Sequence, residues 1–146
     1  MATTRILVVD DEEDLCEILK FNLEIEGYEV DTAYSAEEAL KKDLTVYNLL
    51  LLDVMMGEIS GFKMANILKK DKKTAKVPII FITAKDTEND TVTGFNLGAD
   101  DYLAKPFNPL EAVARVNSNI RRFYSLGTKV VQEGNLAVRD LVLNQD

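Results

Sequence analysis

Leu49-Leu50-Leu51-Leu52-Asp53 is the stretch on which the fold turns. Four leucines alone suit a helix or a strand. The run is short, an acid follows it at once, and Gly57 comes soon after. Those features favour a strand buried on both faces. Ile79-Ile80-Phe81-Ile82, with Pro78 at its edge, has the same character, and Ile6-Leu7-Val8-Val9, which runs into Asp10-Asp11, also reads as a strand. Tyr28 to Thr32 and Asp101 to Ala104 read as two further, shorter strands. Between these runs the spacing becomes helical. Leu15, Ile18, Leu19 and Leu23 recur at helical intervals, and Gly27 suits the residue after a helix end. Ser35 and Glu38 form a capping-box pattern that opens a short helix through Leu40. Phe62, Ala65 and Leu68 mark a third helix, and a polar, Thr-rich segment from Asp86 to Leu97 takes the place of a fourth. Leu110, Val113, Val116 and Ile120 space the last, with Pro109 in its first turn.

Five strand–helix pairs in strict alternation predict the α/β class, a doubly wound parallel sheet with helices on both faces. The length of 146 residues suits one domain and a short appendage, and 47% hydrophobic residues can fill its core. Phe123 to Asp146 breaks the rhythm. It reads either as a frayed tail or as a linker with the start of a second domain, too short for a core of its own.

Composition narrows the function classes. The net charge of -8 argues against nucleic-acid binding by this chain as a whole, although a local basic patch stays open. A single cysteine, Cys16, excludes an intrachain disulfide. The absence of histidine excludes His bases, His metal ligands and a phosphohistidine within the chain. The start Met1-Ala2-Thr3-Thr4 lacks a signal-peptide pattern. No apolar run reaches the ~18 residues of a membrane span. A cytoplasmic protein without membrane contact is expected.

Asp10 and Asp11 follow the first strand and Asp53 follows the third. With strand order 2-1-3-4-5 the first and third strands are neighbours at the point where the order reverses, which is where open parallel sheets bind ligands. Carboxylates meeting there repel and raise one another's pKa. A hard divalent cation relieves that repulsion, and magnesium suits carboxylates, water and phosphate oxygens. Solvated helix-capping acids are the competing reading of Asp10 and Asp11 alone. Two further strand ends weigh against it: Thr83 closes the fourth strand with a hydroxyl, and Lys105 follows the fifth with a point charge. Pro106 permits a cis bond after Lys105. A carboxylate in such a pocket can act as a nucleophile toward phosphorus, with the phosphoryl group coming from outside the chain.

The motifs Ile6-Leu7-Val8-Val9-Asp10-Asp11, Leu51-Leu52-Asp53-Val54-Met55-Met56, Gly61, Ile82-Thr83-Ala84 and Gly98-Ala99-Asp100-Asp101-Tyr102-Leu103-Ala104-Lys105-Pro106-Phe107 together resemble the receiver domain of two-component response regulators. The resemblance covers about Arg5 to Arg122. It implies a flavodoxin-like (βα)5 fold with Asp53 as phosphoacceptor. Asp11 and Asp53 would ligate magnesium, Asp10 would act mainly through water, and the Met55 backbone carbonyl would be a further ligand. Lys105 would contact the phosphoryl group, and Thr83 and Tyr102 would form the switch pair. A sensor histidine kinase is the implied donor. Gly57 departs from the family's usual proline.

Gly98 to Phe107 with Glu111, Arg115 and Arg122 is similar to the OmpR/PhoB-like subfamily, whose receivers carry a winged-helix DNA-binding domain and dimerise after phosphorylation. Asp100, Asp101, Glu111, Arg115 and Arg122 match its ion-pairing dimer face, and Thr91 departs from the usual lysine. The implied division is a receiver over 1–123, then a linker and the start of a truncated winged-helix domain over 124–146, with DNA contacted only through the missing part. Three rivals remain. A phosphatase of the haloacid dehalogenase type would carry Asp-x-Asp after the first strand. A flavodoxin-like flavin binder would need a hydroxyl-rich loop where Asp10-Asp11-Glu12-Glu13 stands. An inactive receiver would serve only as an interaction module.

Overall fold

The computed structural model describes residues 3–55, 59–84 and 100–125. Gly57, Thr91, the Thr-rich segment expected as the fourth helix, and the tail beyond residue 125 lie outside the described residues. The elements run β1 (Arg5–Val9), α1 (Glu13–Ile25), β2 (Glu29–Ala33), α2 (Ala36–Leu40), β3 (Leu49–Asp53), α3 (Gly61–Lys70), β4 (Ile79–Thr83), β5 (Asp101–Ala104) and a C-terminal helix, Pro109–Ile120. The strands form one parallel sheet in the order β2-β1-β3-β4-β5, as the alternation predicts.

Side chains alternate across a strand, and this explains the four consecutive leucines. Leu50 and Leu52 pack with Leu7, Phe81, Met64 and Leu68 on the face covered by α2 and α3. Leu49 and Leu51 pack with Ile6, Ile80, Leu19 and Val116 on the face covered by α1 and the C-terminal helix. All of β3 and β4 is buried. Each fully buried aliphatic side chain contributes roughly 1.5–3 kcal/mol.

Local chemistry sets the helix starts. The Ser35 hydroxyl accepts from the Glu38 N–H at 3.0 Å, while Glu38 Oε1 accepts from the Tyr34 N–H at 2.8 Å. Ser60 accepts from the Lys63 N–H at 3.1 Å and Asn108 from the Leu110 N–H at 2.8 Å. Pro109 occupies the first turn.

Two of the apolar residues that mark the helices do not face the core. Ile18 is 45% and Leu110 68% exposed. The buried faces are Cys16, Leu19 and Leu23 on α1, and Ala112, Val113, Val116 and Asn119 on the C-terminal helix. Ile18 sits about 100° around the helix from Leu19, and Leu110 precedes the first residue of its helix that meets the sheet. β2 also begins one residue later than the sequence suggests. Among the described residues no helix is long and apolar enough to cross a membrane.

Candidate functional site

The parallel register brings four strand ends to one rim. Val9 pairs with Leu52, so the next residue on each strand, Asp10 and Asp53, are neighbours. Asp53 pairs with Ile82, and Thr83 with Ala104, which places Thr83 and Lys105 at the ends of the next two strands. Asp10 is fully buried and Asp53 is 3% exposed, so their carboxylates are largely out of water.

One oxygen of each acid is held by its own loop. Asp10 Oδ1 accepts from the Glu12 N–H at 2.9 Å, and Asp53 Oδ1 from the Met55 N–H at 3.3 Å. The Lys105 ammonium reaches the other two, lying 3.2 Å from Asp10 Oδ2 and 3.8 Å from Asp53 Oδ2, with Glu12 Oε1 at 3.3 Å. Asp10 Oδ2 is buried and is held by its ion pair with the Lys105 ammonium.

Burial, then the neighbouring Asp10 charge, pushes the Asp53 carboxyl up to about 7, against the pull of Lys105. Burial raises Asp10 as well. Burial alone would lower Lys105, but Asp10 and Asp53 outweigh it and hold the ammonium above its ordinary value.

Carboxylate oxygens from Asp10, Asp11 and Asp53 lie within 4.8 Å of one another. Three aspartates and Glu12 against one lysine leave the cluster net negative. A divalent cation would offset that charge and add to the ion pair that Asp10 Oδ2 makes with Lys105, so the donor set fits a hard ion of the magnesium type. Met55, 69% exposed, stands at the mouth.

Thr83 is 4% exposed at this rim, and its carbonyl accepts from the Lys105 N–H at 2.7 Å. The Lys105–Pro106 bond is cis. Tyr102 is half-buried, its ring 5.8 Å from that of Phe81.

The five residues expected at a dimer face lie apart from this cluster: Asp101 on β5, Asp100 just before it, Glu111 and Arg115 on the C-terminal helix, and Arg122 just beyond that helix. Asp101 Oδ1 pairs with Arg115 at 2.8 Å, and Arg115 with Glu111 at 3.3 Å. Asp100 Oδ2 accepts from the Ile79 N–H at 2.8 Å, which ties its carboxylate to the start of β4. Arg122 donates to the Asp100 carbonyl at 3.3 Å.

Sequence reasoning missed three contributors. Glu12 shares Lys105 across 93 positions of chain, a contact that no local pattern signals. Asn119 is fully buried and donates to Asp101 Oδ2 at 3.1 Å; its signal was a polar residue on an apolar stripe. Gly61 was noted without its physical reason: a Cβ there would lie 2.3 Å from the Asp53 carbonyl oxygen. Cys16 donates to the Asp10 carbonyl at 3.2 Å, and burial pushes its thiol up to about 12, so it is unreactive at neutral pH.

A parallel sheet of this order, with acids and a lysine converging at its C-terminal rim, defines a receiver-type signalling domain. The chain belongs to the response regulator receiver domain family, which it matches over residues 6–117. It is similar to the alkaline phosphatase synthesis transcriptional regulatory protein PhoP of Bacillus subtilis (strain 168), at 49% identity over 119 residues, covering 81% of this chain and 49% of PhoP. The chain thus spans about half the length of that curated relative. Among solved structures it resembles a CheY-like response regulator receiver domain protein from Methanospirillum hungatei JF-1, with a TM-score of 0.79 at 30% identity, covering 86% of this chain and all of the other. It also resembles DrrB, a Thermotoga maritima OmpR/PhoB homolog, with a TM-score of 0.75 at 28% identity, covering 92% of this chain and 58% of DrrB.

Proposed function

We propose that Asp53 takes a phosphoryl group from the phosphohistidine of a sensor histidine kinase. An Asp53 oxygen attacks phosphorus, the P–N bond breaks, and its electron pair leaves with the imidazole, which takes up a proton. The product is an aspartyl phosphate. Asp10, Asp11, Asp53 and the Met55 carbonyl would hold magnesium, which when bound offsets the carboxylate repulsion and draws charge from the phosphoryl oxygens. Lys105 supplies a second positive charge, already 3.8 Å from the nucleophile, and the Thr83 hydroxyl supplies a donor from the next strand end. The observation that carries this reading is the Lys105 ammonium between Asp10 and Asp53 in a cluster still short of positive charge. Its only self-catalysis would be its own phosphorylation and dephosphorylation.

The switch follows from the same contacts. Thr83 moves toward the phosphate and the Tyr102 ring turns inward, which reshapes the face of the expected fourth helix, β5 and the C-terminal helix. Moving a population from 1:99 to 99:1 takes about 5.5 kcal/mol of differential interaction. Charge-assisted bonds from Thr83 and Lys105, roughly 1.5–3 kcal/mol each, supply much of it. The reshaped face, with Asp100, Asp101, Glu111, Arg115 and Arg122, promotes a homodimer in the cytoplasm. Residues 1–123 act as the receiver and 124–146 as the linker to a DNA-binding domain that controls transcription. The similarity to PhoP and DrrB supports this second part.

Intact-mass analysis with acetyl phosphate and magnesium tests the first part. The parent should gain one phosphate and Asp53→Ala none. Equal uptake by both, or none by the parent, would contradict it.

A further inference from the structure

The last turn of α3 and the connection to β4 hold five lysines, Lys69, Lys70, Lys72, Lys73 and Lys76, with one acid, Asp71, among them. In a chain of net charge -8 this is a basic pole, and it lies at the rim of the sheet opposite the Asp53 cluster, where β4 begins rather than ends. The turn is pinned. Lys69 donates to the Ala75 and Val77 carbonyls at 3.1 and 3.2 Å, and the Thr74 hydroxyl to the Leu68 carbonyl at 2.7 Å.

Lys70, Lys72, Lys73 and Lys76 are exposed and form no ion pair with any described residue. Asp71 caps the Lys73 N–H at 2.9 Å. Asp43, held mainly by the Thr45 hydroxyl and N–H, feels Lys73 only weakly. Beside the turn lies a groove of about 450 Å³ lined by Lys69, Lys73, Lys76, Val77, Phe123 and Tyr124. Arg122 stacks over Phe123 at 5.4 Å, and the Tyr124 hydroxyl donates to the Asn48 carbonyl at 2.7 Å.

We propose that this lysine-rich surface, the groove and the exposed Lys70 and Lys72 beside it, follows the phosphate backbone of double-stranded DNA without reading its sequence. Duplex DNA presents one negative charge per roughly 1.7 Å of axis, which suits several ammonium groups on one fixed turn. Lysine is a point charge, fitted to phosphate and poor at discriminating bases. The choice of DNA over other polyanions rests on the function proposed above, because the groove borders the residues from which the chain runs on toward a DNA-binding segment.

The test is fluorescence anisotropy of a short random-sequence duplex with the 146-residue chain and no phosphodonor. A quadruple variant, Lys70→Gln with Lys72→Gln, Lys73→Gln and Lys76→Gln, is compared with a control, Lys20→Gln with Lys41→Gln and Lys42→Gln. We expect binding whose log–log salt slope is about -3 to -4, falling about tenfold or more in the quadruple variant and unchanged in the control. No binding at low salt overturns the proposal, as does equal binding by the quadruple variant. Tighter binding to phosphatidylserine vesicles than to DNA would assign the groove to a membrane surface instead. Asp53 phosphorylation is read separately by mass, so either reading can fail without the other.

Discussion

At the residue scale, the acidic cluster holds free energy that the metal-free protein does not recover. The Asp53 carboxyl stands at about 7 in the folded chain, raised by burial and by Asp10. Between its ordinary value and about 7 the folded state therefore binds more protons than the unfolded state. Stability falls as pH rises through that window, and the raised Asp10 acts in the same direction. Replacing Asp53 with Asn removes the charge and keeps the shape. Without divalent metal at pH 8, Asp53→Asn should be more stable than the parent by about 1–3 kcal/mol in urea unfolding. Equal or lower stability would contradict this electrostatic account. Gly61 acts through shape alone. A Cβ there would meet the Asp53 carbonyl oxygen at 2.3 Å and its carbon at 2.9 Å, both backbone, so the loop cannot yield cheaply. Gly61→Ala should cost about 1–3 kcal/mol, read by thermal melting; an unchanged midpoint would refute the close packing. Asp10, Asp11, Asp53 and Lys105 were legible because each ends an apolar run. Glu12 and the packing role of Gly61 were not, because Glu12 meets a side chain 93 positions away and Gly61 meets the backbone at the end of β3.

At the scale of elements, β5 and the C-terminal helix are tied together by the Asp101–Arg115 ion pair and by one buried amide. Asn119 donates to Asp101 Oδ2 at 3.1 Å and to the Arg115 carbonyl at 2.8 Å, and accepts from Arg122. It thereby orients Asp101 and Arg122, two charges of the proposed dimer face. Without it both must be ordered on association, at about 0.5–1.5 kcal/mol per side chain. Asn119→Leu should take up phosphate from acetyl phosphate normally yet dimerise more weakly, by sedimentation equilibrium of the phosphorylated chain. A tighter dimer would show that the amide restrains those charges instead of presenting them. Strand and helix identity was legible here from periodicity. Which side of a helix faces inward was less so: Ile18 and Leu110 are apolar yet exposed, since an apolar residue does not declare which neighbour covers it.

At the scale of the whole molecule, strict strand–helix alternation predicts a parallel sheet before any coordinates. The rim site follows from the strand order, because C-terminal strand ends converge where it reverses. The distribution of charge was less visible. A net of -8 conceals an acidic rim at the strand ends and a lysine-rich turn at the opposite rim, a separation that only the fold produces. The proposed dimer face includes Asp101 on β5, the strand that leads into Lys105, so in this account phosphorylation at the rim acts through β5. All of this depends on which carboxylate bears the phosphoryl group. Borohydride reduction after treatment with acetyl phosphate and magnesium converts an aspartyl phosphate to homoserine, which tryptic mapping can locate. The account predicts homoserine at position 53, in the peptide Asp43–Lys63. Homoserine in Ile6–Lys20, at position 10 or 11, or at no aspartate position, would contradict it.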